Sequence, residues 1–249
     1  MKPPDRVVPR RVLGAIYHTL LAEYGPQQWW PVGSDDGPTQ RLEICLGAIL
    51  TQNTSWRGAA AALARLRAAG ALSLHALLAM PEPVIADLVR PAGHFNVKAR
   101  KLREFARVTL EEHGDLDGLL ALPISGDPDE VRSRLLEIWG VGLETADAIL
   151  LYAARLPTFV IDAYSHRFVE RLELLVPIQG EATGGRPRYE RERRLFLARI
   201  GDDVPMLNEW HALIVEHGQS RCRRRDPLCA GCPLLVRCPH GRRELGLAV

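Results

Sequence analysis

Four cysteines, Cys222, Cys229, Cys232 and Cys238, follow one another with six, two and five residues between them. Four thiolates on so short a loop form a metal-binding set, suited to a [4Fe–4S] cluster or to tetrahedral zinc. Zinc sites usually join two short hooks, whereas only Cys229 and Cys232 are close here. Disulfides are the weaker reading. No signal-peptide pattern opens the sequence, and the fifth cysteine, Cys45, falls in an apolar helical pattern as a core residue.

A carboxylate supplies the second group. Asp162 closes the apolar run Phe159-Val160-Ile161 and precedes an amphipathic stretch over 163–175. An aspartate there N-caps the helix, which holds its carboxylate rigidly at the helix mouth. Twenty residues earlier, Gly140-Val141-Gly142 separates one helical pattern ending at Ile138 from another opening at Ala146, a helix-hairpin-helix. Glycines there admit positive φ and leave no Cβ in the way, so a phosphate can approach main-chain N–H groups at the second helix's start. Val141 anchors the turn in the core.

Hairpin, aspartate and cysteine spacing, in this order, resemble the endonuclease III family of DNA glycosylases, the helix-hairpin-helix Gly/Pro–Asp superfamily with an iron–sulfur cluster, from about residue 40 to 240. The resemblance implies an all-α fold, with two helical lobes flanking a DNA cleft that holds a flipped base, and a C-terminal [4Fe–4S] cluster on Cys222, Cys229, Cys232 and Cys238. One lobe is expected over 40–155, ending in the hairpin. The other combines 1–39 with 156–249 and carries Asp162 and the cluster. The partner expected is double-stranded DNA containing a damaged base.

Within that resemblance Asp162 is the catalytic carboxylate. Breaking an N-glycosidic bond leaves positive charge on the sugar, which a carboxylate stabilises while it orients the attacking nucleophile. Gly140, Val141 and Gly142 are expected on a DNA phosphate, Gln52 in the gap left by the extruded nucleotide, and Arg223, Arg224, Arg225 and Lys98 along the backbone. The run Thr51 to Trp56 and the upstream Trp29-Trp30-Pro31 more closely resemble the branch that removes 3-methyladenine and related alkylated bases. Trp29, Trp30, Asn53 and Trp56 are accordingly expected around the base.

One position departs from the bifunctional pattern. Two residues past Gly142, where those members carry the lysine that attacks the sugar, stands Glu144, and a carboxylate cannot form an imine. The expectation is therefore a monofunctional glycosylase, using water, on alkylated bases. The alternatives are a bifunctional glycosylase and abasic-site lyase on oxidised pyrimidines, using Lys98 or Lys101, and a non-catalytic DNA-structure-binding protein.

The whole chain is consistent with this. At 249 residues and 47% apolar it can bury a sizeable core, and no apolar run is long enough to span a bilayer. A soluble, monomeric, cytoplasmic protein is expected, nucleoid-associated if bacterial. A net charge of +2 does not by itself indicate nucleic acid, but its distribution does: residues 219–249 hold seven arginines against two acidic residues. Helical periodicity predicts elements over 11–24, 39–50, 56–69, 72–80, 83–89, a long helix ending at His113, then 116–122, 128–139, 188–200 and 205–217. Asp127, Pro128 and Glu130 read as a capped start, and 179–187 as a flexible excursion.

Overall fold

The computed structural model describes residues 8–31, 33, 37–175 and 184–248. Most of the expected excursion over 179–187 lies outside them; its last three residues, 185–187, open a helix. Among the described residues the chain is all α-helical: α1 (Arg10–Tyr24), α2 (Gly37–Leu50), α3 (Trp56–Ala68), α4 (Leu74–Ala79), α5 (Glu82–Leu88), α6 (Phe95–His113), α7 (Leu116–Leu120), α8 (Pro128–Glu137), α9 (Leu143–Ala148), α10 (Ala163–Arg171), α11 (Gly185–Ile200), α12 (Val204–Ser220) and α13 (Pro239–Glu244). A π-helical turn, Ile149–Ala153, continues α9. No described helix is long and apolar enough to cross a membrane.

The chain divides into two compact units, residues 30–156 and residues 1–29 with 157–249. In the first, α2 is buried on every side from Leu42 to Leu50, as a helix without a polar face must be. It packs on α3, α6, α9 and the π turn, while α4 and α5 lie on α6. Arg132 of α8 pairs bidentately with Asp147 of α9, at 2.8 Å through both Nε and Nη2, with both side chains buried. That charge pair locks the two helices of the hairpin, and losing one partner would leave a buried charge uncompensated.

In the second unit the centre is Trp210 of α12. Its ring meets Tyr17 of α1 at 5.4 Å, Phe196 of α11 at 5.8 Å and Phe168 of α10 at 6.3 Å, and Phe196 stacks on Phe159 at 3.8 Å. These rings hold α10, and therefore the residue that starts it, against a rigid core.

Several boundaries differ from the periodicity for local reasons. The amphipathic stretch 163–175 stops being helical at Arg171, and Glu173 takes φ +50°, a left-handed conformation that no α-helix continues through. Helix α8 ends at Glu137, which frees Trp139 from the helix. Asp127 caps α8 by accepting from Asp129 N at 2.9 Å, but Glu130 accepts from Ser125 Oγ, so no reciprocal capping box forms.

Candidate active site

Asp162 is the N-cap of α10. Its Oδ1 accepts from Ser165 N at 2.7 Å, and Ser165 Oγ in turn donates to Val160 O at 3.1 Å. Oδ2 lies 3.7 Å from His211 Nε2 of α12, and both side chains are largely buried. Burial pushes the carboxyl upward, but the His211 side chain and the Ser165 backbone N–H outweigh it and hold the group below the usual aspartate range. Asp162 is thus a fixed, ionised carboxylate. His211 was invisible to sequence reading, because a histidine inside the apolar run of α12 has the pattern of a core residue.

The same helix reaches the cysteine loop at its other end. Arg167 Nε donates to Cys222 O at 2.7 Å, and Arg171 Nη1 donates to Cys222 Sγ at 3.1 Å and to Arg223 O at 2.8 Å. All four expected cysteines line one cavity, closed by Phe168, Leu234 and Gly241, and none is in a disulfide. A Cβ added at Gly241 would lie 3.3 Å from Leu235 Cδ1 and 3.6 Å from both Cys229 Sγ and Cys238 Sγ, so the chain packs directly against these sulfurs. Burial raises the Cys229, Cys232 and Cys238 thiols, and the neighbouring sulfurs raise them further. Thiolates gathered this closely suit positive charge among them, which a metal group supplies. Among the described residues no three His, Cys, Asp or Glu side chains form a ready-made site for a single ion. Arg223, Arg224 and Arg225 are exposed on the loop between the first two cysteines.

In the unit of residues 30–156 only one of the hairpin's two glycines takes positive φ, and Gly142 stays extended at −98°. Gly140 has φ +91°, and a Cβ there would lie 2.6 Å from Lys101 Cγ. Val141 is buried, Gly142 is exposed, and α9 starts from Gly142 without a side-chain cap. Glu144 is exposed in the first turn. Gln52 reaches this hairpin: its Nε2 donates to Gly140 O at 3.0 Å and Thr145 Oγ1 at 2.8 Å, and its Oε1 accepts from Lys101 Nζ. Asn53 beside it is exposed, with φ +54°.

The expected phosphate contact by Lys98 is corrected. Its side chain is buried, with Nζ donating to Leu50 O at 2.8 Å and Ala92 O at 2.6 Å, where it closes the last turn of α2. Burial, then the charge of Lys101, lowers it to about 8. An ammonium committed to two buried carbonyls is not presented to DNA.

Of the expected base-contacting residues, Trp30 and Trp56 meet edge to face at 5.1 Å. Tyr152, which sequence reading did not single out, joins Trp30 at 5.2 Å. The Trp30 ring lies over Gly47, where a Cβ would come within 3.3 Å of it. Trp29 is half-buried and belongs to the other unit.

Residues 46–183 match the HhH-GPD superfamily of base excision DNA repair proteins. A candidate DNA repair glycosylase of Methanocaldococcus jannaschii is 36% identical over 223 residues, covering 90% of this chain and 94% of the relative. The endonuclease III of Sulfolobus acidocaldarius is 31% identical over 232 residues, covering 92% and 96%. Among solved structures, an endonuclease III–DNA complex superposes with TM-score 0.74 at 18% identity, over 96% of this chain and 99% of the other. The H. pylori 3-methyladenine DNA glycosylase bound to 1,N6-ethenoadenine superposes with TM-score 0.66 at 24% identity, over 84% and 96%. With its hairpin and N-capping aspartate in the family's order, the chain belongs to the HhH-GPD superfamily of base excision DNA repair proteins and is a DNA glycosylase of the endonuclease III kind.

Proposed function

We propose that this glycosylase is monofunctional and hydrolyses the N-glycosidic bond of alkylated bases in duplex DNA. The observation that carries the reading is Asp162: an ionised carboxylate with Oδ1 committed to Ser165 N, leaving Oδ2 to face the chemistry beside His211. As the bond to the base breaks, its electron pair leaves with the base and the sugar carbon becomes cationic. Asp162 stabilises that charge and accepts a proton from the water whose oxygen bonds to the carbon. An alkylated base that is already cationic departs neutral, so no acid is needed to protonate it.

Three observations support the finer points. Glu144 stands where a lyase would carry its amine, and both described lysines are engaged, Lys98 on two carbonyls and Lys101 on Gln52; Lys2 lies outside the described residues. The electron-rich faces of Trp30, Trp56 and Tyr152 suit a cationic base through cation–π attraction. The structural relative named for 3-methyladenine shares the fold. Cys222, Cys229, Cys232 and Cys238 would hold a [4Fe–4S] cluster, which supplies a rigid anchor for the loop and no step of the reaction. We read the protein as a monomer acting on cytoplasmic DNA.

The test is base release from an end-labelled, methylated duplex, developed with and without hot alkali. Strand breaks seen only after alkali are expected, since hydrolysis leaves an intact abasic strand. Breaks without alkali, together with a borohydride-trapped protein–DNA adduct, would overturn the monofunctional reading. No release in either lane, with release from oxidised-pyrimidine duplexes, would overturn the substrate class.

A further inference from the structure

The residue immediately before the hairpin is a tryptophan, and it is not buried. Trp139 follows the end of α8 and is 46% exposed. Leaving so large an apolar ring half in water forgoes much of the stabilisation that burial would give, and exposed apolar groups beside a binding element mark contact surfaces. The ring is not loose either. The guanidinium of Arg100, on α6, lies over it with Cζ 4.4 Å from the centroid. Val97, one turn earlier on α6, is 50% exposed. On the adjoining position of the same helix, Lys101 lies along Gly140 of the hairpin. Arg100 and Lys101 of α6 thus lie against Trp139 and Gly140 respectively, two cations beside the aromatic ring and the glycine turn.

The charge and shape of this face select an occupant. Arg100 covers one side of the indole, so a base cannot be sandwiched there. The guanidinium keeps its edge N–H groups in a fixed plane, as recognition of a phosphate requires. A tryptophan rim beside it offers an apolar edge of the size of a deoxyribose. We propose that Trp139 and Arg100 form a single rigid contact for the DNA sugar–phosphate backbone next to the hairpin, Arg100 taking a phosphate and Trp139 the adjoining sugar. This rests on the reading of Gly140-Val141-Gly142 as a phosphate-binding turn.

The pair is tested with the full chain by fluorescence anisotropy on labelled duplexes, undamaged and methylated, across a potassium chloride series. The proteins are wild type, Trp139→Ala, Trp139→Phe, Arg100→Gln and the Trp139→Ala/Arg100→Gln double variant, each with a thermal unfolding curve. Trp139→Ala and Arg100→Gln are expected to weaken binding about tenfold each, equally on both duplexes. Arg100→Gln lowers the slope of log affinity against log salt by about one. The double variant binds within about twofold of the weaker single one, because the two side chains act as a unit. Trp139→Phe keeps most of the affinity, which separates contact with DNA from loss of fold. Wild-type affinity in both single variants would overturn the proposal, as would losses that multiply in the double variant, or a loss confined to methylated duplex, which would move Trp139 to the base. Failure of wild type itself to bind duplex would instead overturn the reading of the hairpin.

Discussion

Helices α9 and α10 start on almost the same backbone. Gly142 caps α9 at φ −98°, ψ −179°, and Asp162 caps α10 at φ −93°, ψ −174°. Each carbonyl accepts the first helical bond, from Ala146 N at 2.8 Å and from His166 N at 2.9 Å. Only the side chain differs. Asp162 turns its own oxygen onto the Ser165 N–H and closes the site, whereas glycine has nothing to turn. The start of α9 is left open to an anion from outside, and the start of α10 is closed by an anion that it thereby holds in place. On our proposal, one motif, with and without a carboxylate, separates the binding of DNA from the chemistry performed on it.

Closing the open start of α9 should have the largest effect. Gly142→Asp has room for its side chain, since no atom lies within 4 Å of a Cβ there. It should lower duplex affinity about a hundredfold by filling the phosphate position and repelling the backbone, while stability changes by only a few tenths of a kcal/mol. Unfolding curves alongside a binding titration would check both halves. An affinity close to wild type would mean that α9 does not hold the phosphate.

The next effect is at Lys98. Lys98→Met should cost about 1–3 kcal/mol of stability by leaving the carbonyls of Leu50 and Ala92 unsatisfied. The salt slope of DNA binding should not move. Burial holds Lys98 near 8, against 10.5 for the free group, so between those values the unfolded chain binds more protons and stability rises with pH. Denaturant titrations at pH 7.5 and 9.5 should show a smaller rise in Lys98→Met than in wild type, since Lys101, also lowered by burial, still contributes.

The acid side reports on Asp162. A folded value held below the usual carboxylate range gives stability that is present above the unfolded value and lost as pH falls through the folded one. Single-turnover base release should therefore stay level from pH 7 down to about 5. A fall centred near pH 6.5 would assign the limiting titration to a histidine. The smallest expected effect is at Glu144, exposed in the first turn of α9. Glu144→Gln should strengthen duplex binding about two- to threefold at low salt and leave it unchanged at high salt.

What sequence reading recovered is what depends on neighbours in the chain. The Gly-Val-Gly turn, the aspartate cap and the spacing of the four cysteines are each local patterns, and the structure has the turn, the cap and a shared cavity at those positions. What it missed depends on residues brought together from far apart. Lys98 reads as a surface cation until the ends of α2 and of the turn at Ala92 converge on its amine. Gln52, expected in the gap left by an extruded nucleotide, has its amide taken by Gly140 and Thr145, 88 and 93 residues on. His211 meets Asp162 only because the aromatic core around Trp210 sets α12 against α10. The adjacent pair Trp29-Trp30, both expected around the base, divides between the two units.

The most direct measurement is Asp162→Asn, read for binding and chemistry in the same preparation. Asparagine caps a helix as well as aspartate does, so fold and duplex affinity should stay near wild type while single-turnover release of a methylated base falls at least about a hundredfold. Release at the wild-type rate would contradict the account, because the carboxylate that closes α10 would then be no more than a cap.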